Sequence, residues 1–436
     1  MTPEDVDQTA NGDGNTQIGG DGNIAGRDIT TTIIQGVPPS EHARVLAQLE
    51  IFKEKLAIAL AADRDDPSEE EVQSAGEAME AAEELEEMGA ELDAWSYIDL
   101  GDAAELRGKM IFAVGYNREA LRLFTHSGDR EGEAWALGNL ANISRLRGEY
   151  EEAKQFYNDA LVIAREIEYP KGIAAFLRGL GNIANAEAHR EEAEQFYEES
   201  LVIEHEIGNK KGISSNYNNL AVIASARGDL DEAERLQHES LAIKREIGDR
   251  PGEALSLINL GKLATKRGDW DEAVRLYKES LAIKRVIGDR KGEATSLSNL
   301  GTIKRKRGDY DEAERLHNES LTIRRQVGYR RGQSYNLNAL GQLVRMRGDI
   351  DEAESLHSQA LAIDRADGNF RGESQELYRI GDIKMERGDL VEAERLFRKS
   401  VRICIENDIQ LRNWYAENGY TDPDAPWDFP PKEDET

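Results

Sequence analysis

"GDYDEAERLHNESL", residues 308–321, decides how this chain reads, because "GDWDEAVRLYKESL" stands forty positions earlier, at residues 268–281. Ala313, Leu316, His317, Ser320, Leu321 and Ile323 recur at gaps that gather them on one face of a helix. Asp309 with Glu312 three residues on has capping-box spacing, so a helix is expected to start there with acid at its positive end. The basic pair Arg324 and Arg325, then Gly328, supplies the expected stop. Upstream, Leu297, Leu300 and Ile303 predict a preceding helix, with Gly301 where a neighbour must come close. The unit is therefore a helix, a turn at Gly308-Asp309, and a second helix.

The turn marker returns at Arg147-Gly148, Arg227-Gly228, Arg267-Gly268, Arg307-Gly308, Arg347-Gly348 and Arg387-Gly388. "EAHREEAEQFYEESL" fills the slot near Ala188, and a weaker copy begins near Glu91 with Arg107-Gly108 in register. About eight units are expected between residues 91 and 410. A single helical pair cannot bury its apolar face alone. Stacked pairs bury a continuous core, and the sequence repeats because the neighbour that each pair must fit repeats. The predicted class is all-α.

"NLGTIKRKRGDYDEAERLHNESLTI", residues 299–323, resembles the tetratricopeptide repeat family in the forty-residue form of kinesin light chains and Leu-Gly-Asn-repeat adaptors. The matching marks are Leu300-Gly301, Gly308, Tyr310, Ala313, the aromatic slot at His317, and Ser320. The family often ends a unit with proline, whereas this chain uses glycines such as Gly288 and Gly292. The resemblance implies a right-handed α-solenoid of about eight helix-turn-helix units, with a concave surface lined by the first helix of each.

The ends differ from the repeats. Residues 1–37 form a Gly/Asn-rich arm, in which "NGDGNTQIGGDGNIAGRDITTTIIQG" (11–36) punctuates β-prone runs. It reads either as disordered or as a short hairpin that self-associates through an open edge. "GDGNIAG" is no dinucleotide fingerprint, because no strand precedes it and no helix follows. Residues 38–90 read as an acidic helical hairpin capping the stack, with 15 acidic residues and one basic between Ala61 and Leu100. Residues 411–436 read as a capping helix followed by an acidic, proline-rich tail.

Charge bounds the partners. A formal charge of -30 repels nucleic acid and anionic membrane from most of the surface. The balance of 37 Arg and 18 Lys against 85 acidic residues suits a salt-loaded cytoplasm, where screening makes such self-repulsion tolerable. One cysteine excludes an internal disulfide, and Cys404 in "VRICIEN" is expected to be a buried, inert thiol. The first residues, "MTPEDVDQTA", carry neither a basic nor an apolar targeting pattern, and no stretch approaches 18 apolar residues. A cytoplasmic protein with no membrane partner is expected.

Catalysis is not expected. His317 and His357 take the slot of Tyr157, Tyr197, Tyr277 and Phe397 in sister units, which makes them packing residues. The histidines are dispersed and the cysteine is single, so neither a metal set nor a cofactor is expected. Asp and Glu pairs fall at helix caps and outer faces rather than converging.

Positions that packing leaves free on the first helices form the candidate groove. They are Asn139 and Asn142, then Arg178 and Asn182, then Asn219. Further along come Asn259, Lys262 and Lys266, then Asn299, Arg305 and Lys306, and finally Asn338 and Arg345. Asn offers a donor and an acceptor to a peptide backbone, while Arg and Lys bind anions. From Pro251 to Ser400 the chain holds 28 basic and 25 acidic residues, a balance of +3 that leaves -33 for the remainder. An extended acidic peptide is the expected guest. Some members of the resembling family clamp a C-terminal carboxylate; Arg178, Asn182 and Asn219 match three of its five places, while Leu255 and Asn259 depart from the other two. An internal segment is therefore expected instead.

These readings predict a scaffold or adaptor that binds a partner peptide. A second expectation is a sensor in a prokaryotic signalling or defence system that oligomerises through its arm. Nucleic-acid binding stands last, because aromatic residues are scarce along the groove and the flanks are acidic.

Overall fold

The computed structural model describes residues 40, 42–60 and 69–407. The arm at 1–37, its self-association segment 11–36 and the tail at 411–436 lie outside the described residues. Contacts divide the chain into two compact units that part between Ser256 and Leu257. Among the described residues every element is helical.

The first unit holds α1 (His42–Leu60), α2 (Glu69–Glu87), α3 (Ala94–Leu106), α4 (Met110–Ser127), α5 (Arg130–Leu146), α6 (Tyr150–Glu166), α7 (Pro170–Ala186), α8 (Arg190–Glu206), α9 (Lys210–Arg227) and α10 (Leu230–Glu246). Helix α11 (Arg250–Arg267) runs across the division. The second unit continues with α12 (Trp270–Ile287), α13 (Arg290–Lys306), α14 (Tyr310–Gln326), α15 (Arg330–Met346), α16 (Ile350–Ala366), α17 (Phe370–Glu386) and α18 (Leu390–Glu406). From α3 to α18 these are the eight expected hairpins, and α1 with α2 makes one more. Within each unit, hairpins pack in file, each on the next. Packing between alternate helices joins α3, α5, α7 and α9 in one unit and α13 and α15 in the other. These are all first helices of hairpins, so they crowd together on the inner side of each stack.

The α13–α14 hairpin shows why. Leu297, Leu300, Ile303, Ala313, Leu316, Leu321 and Ile323 are all buried. Gly301 lets the helices close, since an added Cβ would lie 2.9 Å from the His317 ring and 3.2 Å from the Ala313 carbonyl oxygen. The turn is left-handed at Gly308, φ 81°. One local expectation fails here. Asp309 makes no side-chain cap; its carboxylate is taken by Lys304 Nζ at 3.0 Å. Sister residues cap as expected: Asp229 and Asp349 each accept a backbone N–H three residues on at 3.1 Å, Asp269 does the same, and so does Asp389 at 3.2 Å, where the corresponding Lys384 pairs with Glu354 instead.

Glycine in place of proline at the unit ends also has a physical cause. At four junctions the side chain that closes a second helix (Glu204, Lys284, Arg324 or Asp364) lies over a glycine in the first turn of the next helix. An added Cβ at Gly212 would meet Glu204 at 2.1 Å, at Gly332 it would meet Arg324 at 2.7 Å, and at Gly372 it would meet Asp364 at 2.5 Å. The closing position itself is buried throughout as Ala164, Glu204, Lys244, Lys284, Arg324, Asp364 and Cys404. Cys404 is buried as expected, with its thiol 2.9 Å from Ser374 Oγ. A ladder of ion pairs adds a second tie between hairpins. Arg307 reaches Asp271 at 2.6 Å, Arg347 reaches Asp311 at 2.6 Å and also Glu314, and Arg387 reaches Glu354 at 2.6 Å and also Asp351.

Candidate partner-binding face

Every expected groove residue lies on a first helix. Asn139 and Asn142 are on α5, Arg178 and Asn182 on α7, Asn219 on α9, Asn259, Lys262 and Lys266 on α11, Asn299, Arg305 and Lys306 on α13, and Asn338 and Arg345 on α15. Their surroundings differ between the two units.

In the first unit Asn142, Asn182 and Asn219 are engaged by neighbouring side chains, while the Asn139 side chain makes no hydrogen bond with any described residue. Asn182 Oδ1 accepts from Tyr197 OH at 2.8 Å and from Asn219 Nδ2 at 3.2 Å, which links α7 to α9. Burial raises the Tyr197 pKa, so that hydroxyl keeps its proton and stays a donor. Asn142 Oδ1 accepts from Arg145 Nη2 at 2.9 Å. Arg178 departs from its expected role. It is 6% exposed and donates to Glu204 Oε1 at 2.9 Å, with Glu204 itself 1% exposed. Buried against that carboxylate, the guanidinium is closed to a guest, and the three-place resemblance to a carboxylate clamp loses its cation. The signal was in the sequence: Glu204 takes a position that is Lys244, Lys284 and Arg324 in the next three units.

In the second unit the inner face changes along the stack. Arg345 on α15 is neutralised by Asp382 at 3.4 Å and by Glu386. Burial is the largest single influence and works to lower its pKa, but the hydrogen bonds and charges of Glu386 and Asp382 together outweigh it and the net shift is upward. Asn338 Nδ2 donates to Glu376, which also lies 2.7 Å from His357 Nδ1. Those α17 carboxylates were missed from the sequence. Laying α17 on the forty-residue register shows acid arriving, because Glu376 stands where α15 has Asn336 and Asp382 stands where α13 has Thr302.

Helix α13 is different. The Arg305 side chain makes no hydrogen bond or ion pair with any described residue, and Asn299 Nδ2 is buried with no hydrogen-bond partner among them. Lys306 Nζ sits 5.4 Å from the centroid of the Trp270 ring, a cation–π contact that leaves its donors available. Burial pushes the Lys266 ammonium below its ordinary pKa. Beside them, Thr302 Oγ1 and Tyr335 OH lie 3.3 Å apart and tie α13 to α15. The face thus offers an amide and two cations on one helix without a carboxylate engaging them.

The two buried histidines pack as expected. His317 is fully buried, and desolvation with Arg324 nearby drives its pKa down to about 3, so the ring is neutral. Among the described residues no three His, Cys, Asp or Glu side chains gather to hold a metal, and no helix is long and apolar enough to cross a membrane.

A family model described as the tetratricopeptide repeat matches residues 92–166, 212–285 and 292–366. No curated protein matches the chain in sequence. Among solved structures, the apo form of the quorum sensor NprR from B. thuringiensis is similar with TM-score 0.56 and 14% identity, covering 84% of this chain and 99% of that one. The apo form of RapI has TM-score 0.52 and 15% identity over 64% of this chain and 100% of its own. A signal transduction ATPase with numerous domains and a tetratricopeptide repeat sensor, from Pyrococcus horikoshii, has TM-score 0.52 and 15% identity over 81% of this chain and 54% of that one. Identities this low speak to fold.

Proposed function

Since the chain belongs to the tetratricopeptide repeat family, we propose that it is a non-catalytic scaffold holding an extended partner segment on the first-helix faces of its hairpins. The observation that carries this reading is the state of α13, where Asn299 keeps an unused amide and Arg305 an unengaged guanidinium beside Lys306 and Trp270. Asn299 would bond a guest's backbone carbonyl, Arg305 and Lys306 its carboxylates, and Trp270 would give the guest an apolar edge. The guest is accordingly an acidic segment. Binding of moderate strength is expected, because a flexible segment is ordered as it docks.

The test is an acidic fluorescent peptide titrated into the protein and into the Arg305→Glu, Lys306→Glu variant, with far-UV circular dichroism as the check on folding. Charge-assisted hydrogen bonds contribute about 1.5–3 kcal/mol each, so the variant should bind at least tenfold more weakly. Equal affinity for both proteins removes the α13 face from the reading. Two of the similar structures are titled as sensors, which keeps a sensor role beside the scaffold one. Light scattering before and after deletion of residues 1–37 separates the two, since the sensor reading requires the arm to hold subunits together.

A further inference from the structure

The protein itself carries an acidic surface that matches the α13 face. Helix α2 turns Ala75, Ala78, Ala81, Ala82 and Leu85 into the core of its unit and leaves Glu80, Glu83, Glu84 and Glu87 exposed. Their spacing of three, four and seven residues places them on one stripe, about 10 Å long at the 1.5 Å rise of a helix. Their neighbours are engaged: Glu77 pairs with Lys55 at 2.8 Å and Glu86 accepts from Tyr97 OH at 2.6 Å. The four stripe carboxylates make no hydrogen bond or ion pair with any described residue. Opposite in sign, Arg305 and Lys306 project from α13 with no carboxylate on either.

We propose that the α2 stripe of one copy docks on the α13 face of a second copy. The proposal rests on the reading of α13 as an anion-binding face and names its guest. Because α2 is already folded against α1, its carboxylates arrive on a rigid rod, and the ordering penalty that a flexible peptide meets is absent. Each copy carries both halves of the contact on different surfaces. Two copies can satisfy both contacts at once as a closed pair, or further copies can add head to tail; either way the mass exceeds one chain. Salt acts in two directions. The charge of -30 on each copy repels at long range, and a screening length of about 8 Å near 0.15 M salt removes most of that repulsion while contact pairs survive. Near 1 M, where the length is about 3 Å, the contact itself weakens.

The experiment is light scattering coupled to size exclusion on the full chain at about 0.15 M salt, over a range of concentrations. Two charge reversals are compared with the wild type: Glu80→Lys, Glu83→Lys, Glu84→Lys, Glu87→Lys in one protein, and Arg305→Glu, Lys306→Glu in the other. The wild type should exceed the mass of one chain as concentration rises, and each variant alone should stay at one chain. An equimolar mixture of the variants should assemble again, because the unaltered acidic stripe of one meets the unaltered α13 face of the other, and the two reversed surfaces match as well. A destabilised variant cannot mimic that rescue. A wild type that stays at one chain at every concentration overturns the proposal, as does a mixture that fails to assemble. A raised mass that survives both reversals assigns the contact to another surface, such as residues 11–36, and overturns it too. If the mass stays at one chain while the acidic peptide still binds, the scaffold reading stands and this proposal alone falls.

Discussion

Ala188 occupies a slot that sister hairpins fill with Gly148 and Gly228, yet it holds the same left-handed backbone, φ 64°. An L residue pays about 1–2 kcal/mol there, partly offset by the extra freedom glycine brings to the unfolded chain. Ala188→Gly should therefore raise stability by up to about 1 kcal/mol, read as a higher denaturant midpoint with unchanged slope. His317 gives the residue scale a pH dependence. Its folded pKa of about 3 lies below the ordinary 6.5, so the unfolded chain binds the extra proton between those values. Stability should fall as pH drops below 6.5, and His317→Phe should flatten that acid limb in thermal melts from pH 7 to pH 4. Lys244 works at the other end. Burial lowers its pKa from 10.5 to about 8, against the opposing pull of the Asp249 charge, and its ammonium donates to Ser256 Oγ at 3.1 Å. Stability should rise between pH 8 and 10.5, and Lys244→Met should abolish that rise and add about 3 kcal/mol at pH 7. That His317 packs rather than catalyses was legible from its aromatic sisters. That its ring nitrogens lack partners was not, because it depends on Asn336 spending its amide on the His317 carbonyl oxygen at 3.1 Å.

At the scale of elements, the hairpins were legible because helix period, glycine turn and forty-residue register all agree at each copy. The wiring between hairpins was less so. Arg178 read as a groove cation because its first helix was considered alone, whereas Glu204 reaches it from α8 across the hairpin. The same blindness hid the Arg345 pairing with Asp382 and Glu386 of the following hairpin. Both errors come from treating charges as facing solvent when a neighbouring helix answers them. Two kinds of ion pair should then respond differently to mutation. Arg347→Ala breaks pairs with exposed Asp311 and half-buried Glu314 and should lower stability by no more than about 1 kcal/mol. Arg178→Met leaves Glu204 buried and unanswered and should cost about 3–5 kcal/mol. The double change with Glu204→Met should recover most of that loss, and a urea-denaturation cycle over the four proteins measures the coupling. Equal, small losses for Arg347→Ala and Arg178→Met would show that the α7–α8 pair is solvated after all.

At the scale of the molecule, two electrostatic effects oppose one another. The charge of -30 leaves residues 251–400 near neutral at +3 and loads -33 on the rest, so like charges repel over most of the sequence. Against that stands the ladder of cross-hairpin pairs, which draws neighbouring hairpins together and is weakened by salt. Their relative weight decides the response to ionic strength. Ladder carboxylates such as Asp271 and Asp311 are 94% and 97% exposed, and pairs of that kind contribute about 0–1 kcal/mol each. Uncompensated acid is more numerous, and its repulsion reaches about 30 Å at 0.01 M salt but only about 3 Å at 1 M. Repulsion wins. Helical circular dichroism and the melting temperature should therefore rise steadily as salt is raised from dilute buffer to about 1 M. Removing the ladder by Arg307→Ala, Arg347→Ala and Arg387→Ala should leave the direction of that rise unchanged and make it steeper, because the salt-weakened attraction is gone. A melting temperature that falls with added salt in the unaltered protein would mean that the pairs between hairpins, and not the excess of acid, govern how the stack holds together.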